Sequence, residues 1–424
     1  MTTALAISTA ILAILLFFAV SAIWSMTHLR RGQWKTLDTQ DSRGERFGEM
    51  VARLTLSCMT EGNAVELFQN GAFFDRLEEA IGAADQSVHF ETFLWKTGEL
   101  SARLVRSFVA AAERGVEVRM ILDGEGGKKM SETERQTLRD AGVMLCFFNP
   151  RSWRNIGTYN ARDHRKMVVV DSRLAFVGGH CVTDEWQGDA QDRKHYRDIT
   201  AQVRGPVVGE LQAAFTENWT EVTGKLLAGE KYFPDLEPVG DARAHLAYVN
   251  VQRRVSAVKA LHILAIASAQ ESVTIQNPYF LPDEGARTAL LRAVERGVRV
   301  RVMTPTIDAT DNGLVLHAMR SGLRPLLEGG VEIYGYDRTL LHQKVLTVDG
   351  HWSLVGSTNF DFRSFEINDE ISVSLFDEDL AAELVRTFEE DLAHCHRYTL
   401  AMLEKRTVVD RSLDRLAWVA REQL

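Results

Sequence analysis

The sequence predicts an α/β protein made of two similar halves, preceded by one apolar segment long enough to cross a membrane. Three observations support this prediction. The chain repeats one series of features in its two halves, each repeat alternates apolar strand-like runs with helical ones, and residues 4–26 carry no charge. The 424 residues are 45% hydrophobic and 25% charged, close to the average for folded domains. At one to two hundred residues per domain, this length indicates two domains with additional segments.

The apolar segment runs from Ala4 to Met26. About twenty apolar residues are what a helix needs to span the hydrocarbon core of a bilayer, so we expect one transmembrane helix. A cleaved signal peptide is the alternative, but only three uncharged residues precede the segment, and a signal peptide would have Lys or Arg there. Arg30, Arg31 and Lys35 follow it, which predicts that the rest of the chain lies in the cytoplasm.

An internal repeat defines the two halves. In the first half, the strand, helix–strand, strand and strand-pair features lie at 87–95, 104–124, 142–148 and 163–179. In the second half, the same features lie at 272–280, 290–305, 330–336 and 341–357. Both halves contain the sequence ERGV, in which Gly ends a helix and an apolar strand begins. Helices that alternate with apolar strands indicate a largely buried sheet covered by helices.

The same features predict the domain boundaries. We expect an anchor and juxtamembrane segment at 1–35, a first half at 36–222, a connection at 223–246, a second half at 247–399 and a C-terminal amphipathic helix at 400–424. The connection combines Gly, Pro and charge with little periodicity. Apolar residues at helical spacing beside arginines make the C-terminal helix either an interfacial helix next to anionic lipid or a helix packed on its own domain.

Charge and cysteine content restrict the function. The net charge of -9 and a pI near 5.8 argue against broad nucleic-acid binding, which depends on many Lys and Arg residues. The four cysteines, Cys58, Cys146, Cys181 and Cys395, lack the paired spacing of a zinc site or a disulfide framework. We therefore expect free thiols in a reducing compartment.

The motif HxKxxxxD occurs once in each half. The two copies consist of His164, Lys166 and Asp171, and of His342, Lys344 and Asp349. Because side chains alternate along a strand, each His and Lys share one face and can meet one ligand, while each Asp points the other way. Turn-like residues follow each Asp, so we predict a structural role for both aspartates.

Each motif strand turns and returns through a Gly-rich stretch that contains Gly178 or Gly356. Antiparallel pairing would place these glycines near Lys166 and Lys344. A phosphate held there would meet backbone N–H groups and two ammonium groups, which is the stabilisation that phosphoryl transfer requires. One HxK match alone is weak evidence, but a second copy at the matching place in the repeat indicates one two-part site.

The paired motifs resemble those of the phospholipase D superfamily, and their details resemble the bacterial cardiolipin synthases. The resemblance extends from about Ala64 to Arg397 and includes Gly-Gly at 178–179, Asp-Glu-Trp at 184–186 and Gly-Ser-x-Asn at 356–359. Cys181 departs from the pattern, because an asparagine is usual there and a thiol is a weak donor. His180 is the neighbour that could compensate.

This resemblance implies that the halves face each other around one active site, in which one histidine attacks phosphorus and the other protonates the departing alcohol. The first-half histidine usually attacks, so we assign attack to His164 and the acid–base role to His342. Lys166 and Lys344 would offset the phosphoryl charge with no metal and no cofactor.

The family pattern also implies the supporting residues. Asp198 and Glu370 would fix the tautomer of the histidines, and the phosphate-binding residues would be Gly178, Gly179, Ser357 and Asn359. The alternatives are ordinary surface carboxylates for the first pair and turn-forming residues for Ser357 and Asn359. Three tryptophans would either line a lipid entrance or fill core, namely Trp95, Trp153 and Trp186.

The function implied is a phosphatidyl transferase that makes cardiolipin from phosphatidylglycerol, with a second phospholipid as acceptor. The resemblance places it in the bacterial cytoplasmic membrane as a single-pass protein with a cytoplasmic catalytic domain. The alternatives are a hydrolytic phospholipase D that releases phosphatidic acid, a phosphodiesterase or nuclease of the same superfamily, and an inactive membrane scaffold. Net acidity and the anchor disfavour a nucleic-acid substrate, and the intact His and Lys pairs disfavour the scaffold.

Overall fold

The structure is a computed structural model that describes residues 43–44, 46–151, 160–249 and 256–419. The predicted transmembrane segment at 4–26 and Trp153 lie outside the described residues. Within the part of the chain that is described, no helix combines the length and the apolar character that crossing a bilayer requires. All four cysteines lie in this part and are free, as their spacing predicts.

The elements of the two halves follow the predicted alternation of strands and helices. The first half consists of α1 (Phe47–Leu54), β1 (Thr60–Gln69), α2 (Ala72–Gly82), β2 (Ser87–Thr92), α3 (Glu99–Glu113), β3 (Glu117–Asp123), α4 (Glu132–Asp140), β4 (Met144–Phe148), β5 (Met167–Val170), β6 (Leu174–Gly178), β7 (Ile199–Arg204) and α5 (Val207–Thr223). The second half consists of β8 (Ala242–Val249), α6 (Ala257–Ser268), β9 (Ser272–Gln276), α7 (Glu284–Glu295), β10 (Arg299–Pro305), α8 (Gly313–Glu328), β11 (Glu332–Tyr336), β12 (Val345–Val348), β13 (Trp352–Gly356), α9 (Phe362–Glu366), β14 (Glu370–Phe376), α10 (Glu378–Asp391), β15 (Cys395–Arg397), α11 (Leu400–Glu404) and α12 (Val408–Val419).

One sheet runs through both halves, in the order β15-β11-β10-β9-β12-β13-β14-β8-β1-β7-β6-β5-β2-β3-β4. Apart from β15, the order reads the same from either end when each strand is replaced by its counterpart in the other half. The strands β2, β3 and β4 are parallel, as are β9, β10 and β11. The antiparallel contact between β1 and β8 joins the halves, so the sequence repeat is also a structural repeat.

Apolar side chains form a core under the helices of each half and a third core that both halves share. The shared core includes Val169 and Val177 from the first half and Val345 and Val355 from the second. These four residues lie on the strands that carry the two motifs and on their return strands. Packing of apolar surface between the halves therefore holds the two motifs in one body.

The motif aspartates hold the turn of each motif strand against the start of the neighbouring strand. The Asp171 carboxylate accepts hydrogen bonds of 2.7–2.9 Å from the backbone N–H groups of residues 85–87, just before β2. The Asp349 carboxylate accepts three bonds of 2.8 Å from residues 270–272, just before β9. Both aspartates have positive φ, 51° and 48°, which Asp tolerates better than most residues.

The structure also describes the predicted connection and most of the predicted C-terminal helix. Residues 225–241, in the predicted connection, contain no helix or strand, and residues 242–246 already belong to β8. In the predicted C-terminal helix, α12 packs on α8, where Ala417 is buried and Asp414 lies 2.7 Å from His317. Leu413 and Leu416 on α12 are 45% and 69% exposed, so one face of the helix packs on its own domain and the other faces outwards.

Candidate active site

The His-x-Lys segments lie just before their strands and contact the opposite half. We expected His164 and Lys166 on a strand, but β5 begins at Met167 and β12 begins at Val345. The backbone N–H of His164 donates to the carbonyl of Asp369 at 2.9 Å, and that of His342 donates to the carbonyl of Arg197 at 2.7 Å. At the histidines, these extended segments are therefore bonded across the two halves.

Each motif histidine is paired with a carboxylate from the other half. His164 Nδ1 lies 2.8 Å from Glu370 Oε1, and His342 Nδ1 lies 2.8 Å from Asp198 Oδ2. Both carboxylates are completely buried, and both histidines are less than a tenth exposed. A carboxylate on Nδ1 fixes the tautomer in which Nε2 carries the lone pair, so Nε2 of each ring is the nitrogen available for chemistry.

Further donors hold the two carboxylates in place. Trp186 Nε1 donates to Asp198 Oδ2 at 2.8 Å, and Ser364 Oγ donates to Glu370 Oε1 at 2.6 Å. The Ser357 hydroxyl donates to Glu370 Oε2 and accepts the backbone N–H of Ile371 at 3.0 Å. The side chain of Ser357 thus has Glu370 as its partner, and its contact with phosphate remains a prediction.

The sequence did not predict Ser364, nor the contact of Trp186 with Asp198, since Trp186 was expected to line a lipid entrance or fill core. Each stands 22 residues after the histidine of its own motif, so aligning the two halves beyond the Gly-rich return would have paired them. The Trp186 ring also packs edge-on against His342, with centroids 5.0 Å apart, and Phe93 packs in the same way on His164 at 5.0 Å. Of the predicted tryptophans, Trp186 supports the site, while Trp95 is fully buried in the first-half core.

The two motif lysines are buried beside the histidines. Lys166 Nζ donates to the backbone carbonyl of His164 at 2.7 Å. Lys344 Nζ lies 3.0 Å from both ring nitrogens of His342 and also donates to its backbone carbonyl. Burial, together with the charge of Lys166, lowers the pKa of the Lys344 ammonium to about 7. Two buried cations near one another favour an anionic ligand between them.

Burial and the lysines keep both imidazoles neutral. Burial, together with the charges of Lys344 and Lys166, lowers the pKa of His342 to about 4. Burial also lowers the pKa of His164 well below its usual value, and the same two lysines contribute. Each lysine therefore acts on the histidine of the other half as well as on its own, which brings the four motif side chains into one electrostatic unit.

The pKa values of the two carboxyl groups are shifted in opposite directions. Burial raises the pKa of Glu370 to about 8 despite the nearby Lys166, Ser357 and Ser364. Burial acts on Asp198 in the same direction, but the contacts with His180 and His342 and the charge of Lys344 outweigh it, so the pKa of Asp198 is lowered. His342 thus faces a carboxylate that is ionised at neutral pH, while burial makes ionisation of the carboxyl group beside His164 less favourable.

The glycines of the return strands make room for neighbouring residues. The N–H groups of Gly178 and Gly356 donate to the carbonyls of Lys166 and Lys344 at 3.3 Å, as antiparallel pairing predicts. A Cβ at Gly178 would lie 2.2 Å from Thr200 Oγ1, and one at Gly179 would lie 2.3 Å from a carboxylate oxygen of Asp198. The close approach of β7 and Asp198 explains why glycine is needed at 178 and 179. Phosphate binding by Gly178 and Gly179 remains a prediction.

Asn359 and Cys181 occupy matching positions, each 17 residues after its motif histidine. Asn359 is 5% exposed, and within the described residues its Oδ1 has no hydrogen-bond partner, which is consistent with a ligand contact. Cys181 is buried, and burial raises the pKa of its thiol. His180 does not compensate, because its nitrogens face Thr200 Oγ1 at 2.8 Å and the carbonyl of Asn70 at 2.9 Å.

The arrangement suits phosphoryl chemistry carried out by side chains. Two imidazoles, each held through Nδ1, and two buried ammonium groups provide a nucleophile, an acid–base and anion stabilisation. In the part of the chain that the structure describes, no group of three or more His, Cys, Asp or Glu side chains could hold a metal ion.

A protein-family model matches both halves of the chain. A family described as "Cardiolipin synthase, PLD-like domain" matches residues 77–219 and 263–392, one stretch in each half. Among relatives, a cardiolipin synthase of Geobacillus sp. (strain WCH70) is 35% identical over 82% of this chain and 68% of its own length. Cardiolipin synthase A of Pseudomonas fluorescens is 36% identical over 78% of this chain and 69% of its own length.

Solved structures share the fold at low sequence identity. The phosphatidylserine synthase of Haemophilus influenzae superposes with a TM-score of 0.66 at 14% identity, covering 85% of this chain and 95% of that protein. The polyphosphate kinase of Porphyromonas gingivalis superposes with a TM-score of 0.53 at 13% identity, covering 93% of this chain and 57% of that protein. These likenesses identify the fold of the two halves.

The contact between Lys344 and His342 predicts a measurable pKa. Replacing Lys344 by Met removes a charge that disfavours the imidazolium, so the pKa of His342 should rise from about 4 by roughly one unit or more. Two-dimensional NMR of ¹⁵N-labelled histidine side chains over a pH series measures this value. Lys128→Met, which removes an exposed lysine paired with Glu125, is the matched control, and an equal response in both variants would contradict the assignment.

Proposed function

The chain belongs to the cardiolipin synthase family of phospholipase D-like proteins, and we propose that it makes cardiolipin by transferring a phosphatidyl group between two phosphatidylglycerol molecules. The observation that carries this proposal is the pair of crossed contacts, His164 with Glu370 and His342 with Asp198. They bring one nucleophile and one acid–base from different halves to a site that also contains two buried lysines.

In the first step, His164 Nε2 attacks the phosphorus of phosphatidylglycerol. A P–N bond forms, the P–O bond to the headgroup glycerol breaks, and the departing oxygen takes a proton from His342. Lys166 and Lys344 stabilise the negative charge on the non-bridging oxygens during this step. Glycerol leaves, and the phosphatidyl group remains on His164.

In the second step, the headgroup hydroxyl of another phosphatidylglycerol replaces the departed glycerol. His342, now neutral, accepts the hydroxyl proton as the oxygen attacks phosphorus and the P–N bond breaks. The product carries two phosphatidyl groups on one glycerol, and both histidines return to their starting state. If water took the place of the second lipid, the product would be phosphatidic acid.

The order of the two histidines is supported by the opposite pKa shifts of their carboxyl partners. The low pKa of Asp198 stabilises the imidazolium form of His342, which an acid needs, whereas the raised pKa of Glu370 weakens this stabilisation at His164, which must be neutral to attack. The negative charge of a bound phosphodiester would offset the two lysines and raise the pKa of His342. Substrate binding thus favours the protonated form of His342, which is disfavoured when no substrate is bound.

We also propose that residues 4–26 anchor the enzyme in the cytoplasmic membrane with its catalytic domain in the cytoplasm. The uncharged segment and the basic residues after it support this orientation. An anchored enzyme meets donor and acceptor lipids in the plane of the bilayer. Both substrates are then available without leaving the membrane.

The anchor predicts how a truncated chain behaves. Deleting residues 1–35 should shift the protein from the membrane pellet, where the full chain resists alkaline carbonate extraction, to the extractable fraction, because its membrane-spanning segment is gone. Immunoblots of the two fractions measure this change. Deleting residues 400–424 instead should leave the chain in the pellet, and a 1–35 deletion that still resists carbonate would contradict the proposed anchor.

The transfer reaction predicts a large loss of activity when either motif histidine is replaced. Purified full-length protein in phosphatidylglycerol vesicles should release glycerol and form cardiolipin, and His164→Ala or His342→Ala should lower the rate by about a thousandfold or more. Mass spectrometry of lipids measures the products. His396→Ala, which removes an exposed histidine paired with Asp337, is the matched control. Phosphatidic acid without cardiolipin would identify a hydrolase, and full activity of either active-site variant would refute the mechanism.

A further inference from the structure

Two buried carboxyl groups lie directly behind His164. Glu91 is the fifth residue of β2, and Asp163 is the residue before His164. They are 1% and 0% exposed, and their side chains are hydrogen-bonded to each other. Within the described residues, no donor reaches Glu91 Oε2 or Asp163 Oδ2. We call Glu91 and Asp163 the carboxyl pair.

A hydrogen bond between two carboxyl groups needs a proton, since an ionised carboxylate only accepts. Two ionised carboxylates in contact would repel each other and would both lose solvation on burial. One proton on the pair removes the repulsion and makes one group a donor to the other. The hydrogen bond is therefore one between a carboxylic acid and a carboxylate.

The second half shows how the same place is built without a shared proton. Glu91 pairs with Met167 on the motif strand, and Gln276 pairs with Val345 in the same register. Gln276 Nε2 donates to Asp391 at 3.2 Å. In the first half the carboxylate and the amide are exchanged. The strand residue is Glu91, and the amide Nδ2 of Asn218 donates to its carboxylate at 2.7 Å.

The two backbone bridges between the halves also differ in the charge of their side chains. Behind His342 the bridging residues are Arg197 and Leu341, and Arg197 Nε lies 3.1 Å from the Asp391 carboxylate. Behind His164 the bridging residues are Asp163 and Asp369. Like charges opposite each other destabilise a strand pair, so this second bridge depends on how its carboxyl groups are neutralised.

Among the described residues, more carboxyl groups than arginines surround the carboxyl pair. Arg165 is buried, donates to the carbonyls of Ala214 and Val249, and lies 3.2 Å from Glu217. The charges of Asp369, Glu91, Glu217 and Asp163 all raise its pKa. From β3, Asp123 accepts the backbone N–H of Asp163 at 3.0 Å and lies 3.8 Å from Arg162. Burial raises the pKa of both members of the pair. The charges of Glu91 and Asp369 raise the pKa of Asp163 further, whereas the hydrogen bond with Asp163 lowers that of Glu91.

We propose that Glu91 and Asp163 share one proton, and that this proton keeps the Asp163–Asp369 bridge closed. The bridge is continuous with the contact that matters for chemistry, because Asp369 accepts the N–H of His164 and is followed by Glu370. A closed bridge therefore positions Glu370 on His164. Glu91 and Asp163 are positioning residues in this account, and their effect on turnover rests on the proposed function.

Protein stability over a pH series tests the shared proton without any substrate. A proton held with a raised pKa in the folded chain contributes stability that is lost as pH rises above the ordinary carboxyl range. Glu91→Gln supplies a permanent donor and removes this loss, so its melting temperature relative to wild type should increase steadily from pH 5 to pH 9. Differential scanning fluorimetry of the full chain in detergent measures it, with Asp163→Asn as a second variant.

The control for stability is Glu79→Gln, which removes an exposed glutamate paired with Arg76. Its melting temperature relative to wild type should not depend on pH. If Glu91→Gln and Asp163→Asn also gave pH-independent differences, the carboxyl pair would hold no proton and the proposal would be overturned. This outcome is independent of whether the protein makes cardiolipin.

Turnover tests the positioning role with two variants of similar size. Glu91→Met fills the same space without a hydrogen bond and should lower kcat about tenfold or more with little change in KM, whereas Glu91→Gln should stay within about twofold of wild type. Equal kcat values for the two variants would overturn the positioning role. A wild type that makes no cardiolipin would instead refute the proposed function and leave the stability test intact.

Discussion

The hydrogen bond from each motif histidine to a carboxylate of the other half is the contact on which the site depends. His164 meets Glu370 and His342 meets Asp198, each at 2.8 Å. Neither motif histidine has its carboxylate partner in its own half. The shared core and the backbone bridges at Arg197–Leu341 and Asp163–Asp369 are what bring the pairs together, so the two halves need each other for the site to exist.

The repeat also shows where the halves have diverged. Trp186 and Ser364 hold equivalent carboxylates by different donors, and the carboxylate pKa values are shifted in opposite directions. Near-symmetric geometry with unequal electrostatics lets one histidine remain neutral while the other can accept a proton. A two-step transfer needs that difference, because the same two rings must take distinct roles at one phosphorus atom.

Much of this could be predicted from the sequence because the chain repeats itself. The repeat identified both His-x-Lys pairs and the alternating strands and helices, and it indicated that Gly178 and Gly356 lie beside the motif lysines. It did not indicate which carboxylate meets which histidine, since the pairing depends on a bridge between segments far apart in the chain. The positions of Asp198 and Glu370 are also unequal, 34 and 28 residues after their motif histidines, so local spacing contains no signal for the crossed contact.

Covalent trapping tests the central claim most directly. Full-length enzyme mixed with phosphatidylglycerol and quenched in alkali within one turnover should contain a phosphatidyl group on the peptide that includes His164, because the phosphoramidate bond survives alkali and the acid–base histidine forms no bond to phosphorus. Tandem mass spectrometry of the peptides locates the group. A phosphatidyl group on His342, or cardiolipin formation with no modified histidine in either half, would contradict the account.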